Sequence, residues 1–207
     1  VKKFKHKRII AVSGTPGVGK TSFSKLLAQK INGKHIDLSK LASKEKLIIG
    51  VDLERKTKIV DIKKLRSKLK EIIKKSNCDL ILNGHYSPSV LPSKFIDFVI
   101  VLRHNPLKLK ERLKARGYTK KKIYENICAE ALDICTYEAI ESCGINKVYE
   151  LDTTNKSLKE LVVEALNIIE GNKKPRLGIV NWLKVLEDEG KIDEILNNKL
   201  RSFIRKG

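Results

Sequence analysis

Gly14-Thr15-Pro16-Gly17-Val18-Gly19-Lys20-Thr21 constrains this chain more than any other stretch. It follows a short apolar run, Arg8-Ile9-Ile10-Ala11-Val12-Ser13, and precedes a segment in which Phe23, Leu26 and Leu27 recur at helical spacing. Strand, glycine loop and helix in that order are the context in which Gly-x-x-x-x-Gly-Lys-Thr cradles the phosphates of a nucleoside triphosphate. Each residue type has a reason. Gly14, Gly17 and Gly19 let the backbone curl so that its N–H groups point at phosphate oxygens. The helix beginning near Lys20 adds its positive end. Lys20 reaches the β- and γ-phosphates, and the Thr21 hydroxyl is placed to ligate Mg²⁺. Pro16, Val18 and Ser22 complete the expected nucleotide-contacting set.

The rest of the chain alternates in a way that suits this loop. Asp79 to Asn83 and Asp97 to Leu102 read as further buried strands, His35 to Leu38 as a second short strand and Val148 to Leu151 as the last one. Between them, residues 39–76 read as helical patterns around a polar stretch at 52–56, and Leu107–Ala115, Lys122–Glu141 and Leu158–Ile169 have helical periodicity. Strands alternating with helices predict an α/β fold, a parallel sheet covered on both faces. Gly171 to Arg176 reads as a linker, and Trp182, Leu183, Leu186, Ile192, Ile195, Leu196, Leu200 and Ile204 predict a helical tail.

A phosphate loop alone does not say where the γ-phosphate goes. Asn155-Lys156-Ser157-Leu158 approaches a guanine-binding Asn-Lys-x-Asp, but Leu158 cannot grip the guanine edge, which argues against a GTPase. Forty-four Lys and Arg against twenty-four Asp and Glu leave a net charge of +20. A lysine surface built for ion-pair networks raises Glu in step, and here the acids lag, so the excess favours an anionic partner, RNA first. Cys78, Cys128, Cys135 and Cys143 show no metal-ligand spacing and read as reduced thiols. With no apolar leader in Val1-Lys2-Lys3-Phe4-Lys5 and no run near the roughly 20 residues of a membrane span, the expectation is a cytoplasmic protein without a membrane partner.

The loop, with Ser22 after it, resembles that of the adenylate kinase isoenzyme 6 family, which includes archaeal adenylate kinases, a coilin-interacting nuclear ATPase and a yeast ribosome-assembly factor. Ser39 to Glu45, Asp52 to Arg55 and Ile59-Val60-Asp61 resemble the family's monophosphate-binding segment, about residues 37–61. Asn83-Gly84-His85 stands where the family carries Asp-x-His or Glu-Gly-His, and Glu111-Arg112-Leu113, Arg116-Gly117-Tyr118, Glu125-Asn126 and Glu130 resemble its lid region, the lid itself at about 115–125. The resemblance covers residues 8 to 170.

It implies a P-loop nucleoside monophosphate kinase fold with a five-stranded parallel sheet, Mg²⁺ with ATP as donor, AMP as acceptor, and some ATPase activity. It also implies a role in small ribosomal subunit maturation, with ribosomal RNA and a platform ribosomal protein as partners. Lys20, His85, Arg112 and Arg116 are the implied catalytic groups. Arg116 and Lys156 join the loop in holding ATP, with Asp152 to Thr154 near the base. Ser39, Lys44, Asp52 and Arg55 are the acceptor-side candidates. Two departures stand out. Asn83 replaces an acid expected near Mg²⁺, for which Asp79, at the other end of the strand, is the substitute in view. Ser43 occupies the place of an acceptor-gripping arginine, for which Lys44 or Arg55 could substitute. The competing functions are an ATP-driven RNA-binding assembly factor and a polynucleotide 5'-kinase. The tail, residues 171–207, lies outside the resemblance; it either packs on the core or forms a separate helix pair, and its removal is expected to spare turnover.

Overall fold

The structure is a computed structural model that describes residues 7–52, 57–193 and 195. Arg55, and Leu196, Leu200 and Ile204 of the tail, lie outside the described residues. Five parallel strands form the central sheet in the order β2-β5-β1-β6-β7. They are β1 (Ile9–Ser13), β2 (Lys34–Asp37), β5 (Leu80–Asn83), β6 (Phe98–Arg103) and β7 (Val148–Asp152). The near-continuous apolar character of β1, β5 and β6 follows from burial on both faces.

Alternation along β1 divides the core. Ile10 and Val12 face one hydrophobic cluster, where α1 (Lys20–Lys30), α4 (Pro106–Ala115), α5 (Lys120–Ala131), α7 (Leu158–Ile169) and α8 (Trp182–Asp188) contribute side chains. Ile9 and Ala11 face the other, under α3 (Ile62–Lys75) and α6 (Ile134–Cys143), with α2 (Leu38–Lys44) at its margin. The strand order turns around β1, and an open α/β sheet binds ligands outside the carboxyl ends of its strands at such a switch point. Ser13, Asp37, Asn83, Arg103 and Asp152 mark those ends.

Two details differ from the sequence reading. Residues 39–76 are not all helical: β3 (Ile48–Asp52) and β4 (Thr57–Val60) pair as an antiparallel hairpin between α2 and α3. The β-branched run Ile48-Ile49-Gly50-Val51 suits a strand better than a helix. The helix expected over Lys122–Glu141 is two helices, α5 and α6, because Asp133 takes a left-handed conformation (φ 55°) and breaks the ladder. Of the two alternatives for the tail, its described part takes the first and packs on the core: Leu186 and Ile195 join the α5-side cluster, and Trp182 is buried with its indole N–H on Glu130 of α5.

Candidate active site

Residues 14–19 join β1 to α1. Gly14 takes φ 132°, and a Cβ there would lie 2.4 Å from the Leu102 carbonyl oxygen, so no side chain fits without moving β6. Gly19 precedes α1 in a left-handed conformation (φ 105°), and no side chain caps the helix. The first N–H groups of α1 therefore remain available to an anion. Gly17 and the buried Val18 pack the loop against the core, Val18 joining its α5-side cluster. Pro16 is half-buried, and Ser22 is exposed in the first turn of α1.

Lys20 curls back over the loop and donates to Gly14 O at 2.6 Å and Thr15 O at 3.0 Å. Burial lowers its pKa to about 8. The neighbouring Cys135, Glu130 and Asp37 oppose that shift, and the Arg116 charge adds to it.

The metal side of the loop is more complete than the sequence indicates. Asn83 Nδ2 donates to Thr21 Oγ1 (3.1 Å) and to Asp37 Oδ2 (3.2 Å). Strand pairing explains the meeting, since Asp37 at the end of β2 stands in register with Asn83 at the end of β5. Asp37 supplies the carboxylate that Asn83 lacks. Asp79 does not: it lies before β5, where Arg8 holds it at 2.5 Å. Asn83 Oδ1 is buried without a hydrogen-bond partner. The Thr21 hydroxyl and the Asp37 carboxylate, bridged by the Asn83 amide N–H groups, are oxygen donors of the kind that suit Mg²⁺ and its waters.

Between α2, the β3–β4 hairpin and the residues after β5 a cleft of about 490 Å³ is lined by Ser39, Lys40, Ser43, Ile48, Lys58, Val60, His85 and Tyr86. The Asp37 side chain caps α2 by accepting from Lys40 N (3.0 Å), which fixes the helix that carries Ser39 and Ser43. Ser43 Oγ turns back to Ser39 O (3.0 Å). Lys44, at the exposed end of α2, is not among the lining residues; Lys40 and Lys58 are. Asp52 ends β3 away from that lining.

His85 joins the cleft to the phosphate loop. Its carbonyl accepts from Ser13 Oγ (2.9 Å), and its ring meets Tyr86 edge-on at 4.8 Å. Desolvation first, and then the Lys20 ammonium, lower its pKa below the ordinary histidine value.

Arg116 caps the carboxyl end of α4 just before Gly117, and both are exposed. Of Arg112 and Arg116, Arg116 is the one whose charge is felt at Lys20. The exposed Arg112 acts instead on His104, whose pKa falls to about 4 through burial and then the Arg112 charge. After β7, Thr153 Oγ1 donates to Arg103 O (2.8 Å), while Thr154 Oγ1 accepts from Asn105 N (2.9 Å). These contacts tie the two loops at that end of the sheet together. Lys156 is turned to Glu164 on α7 (2.7 Å).

Sequence reasoning missed Asp37, Lys40, Lys58 and Tyr86. The place of Asp37 at the end of a predicted strand was the available signal. Lys58 gives none until the hairpin is known.

A parallel sheet ordered around β1, a glycine loop leading into α1 and a small cleft beside it define a P-loop kinase fold. Solved structures agree. A shikimate kinase from Acinetobacter baumannii in complex with shikimate superposes with a TM-score of 0.59 at 17% identity, over 83% of this chain and 98% of that one. A shikimate kinase from Bacteroides thetaiotaomicron gives 0.56 at 17% identity, over 79% and 98%. Residues 10–133 match the family model described as an AAA domain. The chain is 44% identical over 173 residues to a "Putative adenylate kinase" of Methanocaldococcus jannaschii, covering 84% of this chain and 92% of that protein. A protein of the same name from Pyrococcus furiosus is 41% identical over 182 residues, covering 87% and 94%. The chain belongs to this archaeal adenylate kinase family.

Proposed function

We propose that this chain is an adenylate-kinase-type phosphotransferase, moving the γ-phosphoryl group of ATP to AMP. The observation that carries the reading is the cleft between α2, the hairpin and His85, linked to the phosphate loop through His85, whose carbonyl accepts from Ser13 Oγ and whose ring feels the Lys20 charge. Its volume suits a small acceptor, and Lys40 and Lys58 supply positive charge for a monophosphate. Residues 37–61 then act as the acceptor segment and 115–125 as the lid.

The reaction forms a bond from an AMP phosphate oxygen to the γ-phosphorus and breaks the bond to the β–γ bridging oxygen, giving two ADP. Such transfers depend on positioning and on neutralising the charge of the moving group. The loop N–H groups and α1 hold the triphosphate, Lys20 leaves its carbonyl partners for the β- and γ-phosphates, and Arg116 approaches from the lid. Mg²⁺ with ATP would neutralise the phosphate oxygens; this chain would hold it at Thr21, with Asp37, itself positioned by Asn83, orienting its waters. His85, held neutral near pH 7, accepts a hydrogen bond from the acceptor or from water. The second option supports an accompanying ATPase activity. Measuring ADP formation from ATP with each nucleoside monophosphate, and with none, tests the reading; an AMP-independent rate equal to the AMP-dependent one refutes it.

A second role in small-subunit assembly is supported by charge. Beyond the net +20, α3 exposes Lys63, Lys64, Lys70, Lys74 and Lys75 against the single acid Glu71. We assign ribosomal RNA, and with it a platform ribosomal protein, as cytoplasmic partners of this surface. Binding to small-subunit RNA that falls steeply with salt is the expected result, and no binding at low salt refutes it. The small cleft speaks against a polynucleotide end as acceptor.

A further inference from the structure

The C-terminal extension reaches the phosphate loop through one carboxylate. Glu130, near the end of α5, is 2% exposed, and both its oxygens are used. Oε2 accepts from Thr15 Oγ1 at 2.5 Å. Oε1 accepts from Arg103 Nε (2.9 Å), from His104 N (3.0 Å) and from Trp182 Nε1 (3.2 Å). A carboxylate has about four acceptor positions, and here four donors come from the phosphate loop, the end of β6, the loop after it and the extension. Arg103 is itself buried and also paired with Glu150 (2.5 Å) and Asp133, so Glu130 is part of a charged network with little freedom to turn.

The extension holds this network at several points. Ile179 N donates to Glu150 Oε2 (3.3 Å). The Ile195 carbonyl accepts from Tyr124 Oη and from Cys128 Sγ (2.9 Å), both on α5. Trp182 is buried, and its indole N–H points at Glu130 rather than at solvent.

At the other end, Thr15 is buried; its hydroxyl is held by Glu130, with the Cys135 thiol beside it, and its carbonyl accepts from Lys20 and from Val18 N (3.4 Å). Any rotation of the Glu130 carboxylate therefore moves the residue against which the phosphate-binding lysine rests.

We propose that Glu130 is a positioning residue of the phosphate loop, and that the C-terminal extension sets its orientation through Trp182. The inference rests on the loop's being the ATP site. It replaces the expectation that the extension is dispensable for turnover, because losing Trp182 removes one of the four donors that orient Glu130.

The test is calorimetric ATP affinity of the full chain, with melting temperature as a control for folding. If the wild-type protein binds no ATP, the functional reading itself fails; every later outcome concerns only this proposal. Thr15→Val, which removes the hydroxyl donor, weakens ATP by about tenfold, as loss of a hydrogen bond to a charged group does. Thr15→Ser keeps the donor and stays within about twofold of wild type. Trp182→Phe keeps most of the buried ring and weakens ATP by about threefold. The double variant Thr15→Val/Trp182→Phe is no weaker than Thr15→Val alone, because both act through one carboxylate.

Unchanged affinity in Thr15→Val, or in a folded Trp182→Phe, overturns the proposal, as do multiplicative effects in the double variant. Should Trp182→Phe not fold, the indole N–H resonance of Trp182, the chain's only tryptophan, decides. It shifts in Thr15→Val and keeps its wild-type position in Thr15→Ser, and an unmoved resonance in Thr15→Val is the overturning result.

Discussion

The phosphate loop and the proposed acceptor cleft are linked through His85 yet are built from different materials. The loop is mainly backbone: glycines at positive φ, the open N-terminus of α1 and one lysine folded over its own carbonyls. The cleft is mainly side chains, drawn from a short helix, a hairpin and the residues after β5. A backbone site has few solutions, so its sequence is stereotyped. A side-chain site can be assembled from many residues once the scaffold brings them near. Mutations on the loop side should therefore be severe and indifferent to the acceptor, whereas those on the cleft side should be milder and confined to it.

The largest effect is expected from Lys20→Ala, which should lower ADP formation by about a thousandfold, as loss of transition-state charge stabilisation does. The melting temperature should hold, since the lost ammonium is one whose pKa burial has already lowered. A mild kinetic effect breaks the comparison at once. Gly14→Ala comes next: its Cβ would meet the Leu102 carbonyl oxygen at 2.4 Å. It should cost about 2–4 kcal/mol in chemical denaturation and abolish ATP binding.

Arg116→Ala should reduce kcat by about tenfold to a hundredfold, and Arg112→Ala by less than about threefold. Only Arg116 is close enough to Lys20 for its charge to register there. Equal losses from the two in steady-state assays would show that the lid closes in another orientation. Lys58→Ala sharpens the cleft side: the KM for AMP should rise about fivefold with the KM for ATP unchanged, a loss of uniform acceptor binding.

The smallest effect concerns pH. Lys20 in the free protein loses its proton as pH rises through about 8, whereas a bound triphosphate favours the ammonium. ATP affinity should be full below that pH and decline above it, and calorimetry from neutral to alkaline pH checks the direction.

What was legible in the sequence follows the same division. The strand, the loop and α1 could be read because glycine, lysine and threonine at fixed spacing leave little alternative. Four of the five sheet strands could be read from their apolar runs; β2, Lys34-His35-Ile36-Asp37, carries one apolar residue and gave only a weak signal. Asp37 was not recognised, because its role arises only when β2 pairs with β5 and brings it to Asn83. Lys58 was hidden in a segment read as helical that folds as a hairpin. Arg112 and Arg116 have the same residue type and lie four positions apart on one motif, so only the structure distinguishes their surroundings. Glu130 was visible as part of a resemblance, but nothing local in the sequence joins it to Thr15 or to Trp182.

The most direct measurement follows ATP radiolabelled at its γ-phosphate through a single turnover with AMP present. With the cleft holding the acceptor beside the loop, the label should appear at the β-position of newly formed ADP, and Lys20→Ala should abolish its transfer. Label recovered only as inorganic phosphate, at a rate indifferent to AMP, would contradict the assignment of that cleft as an acceptor site.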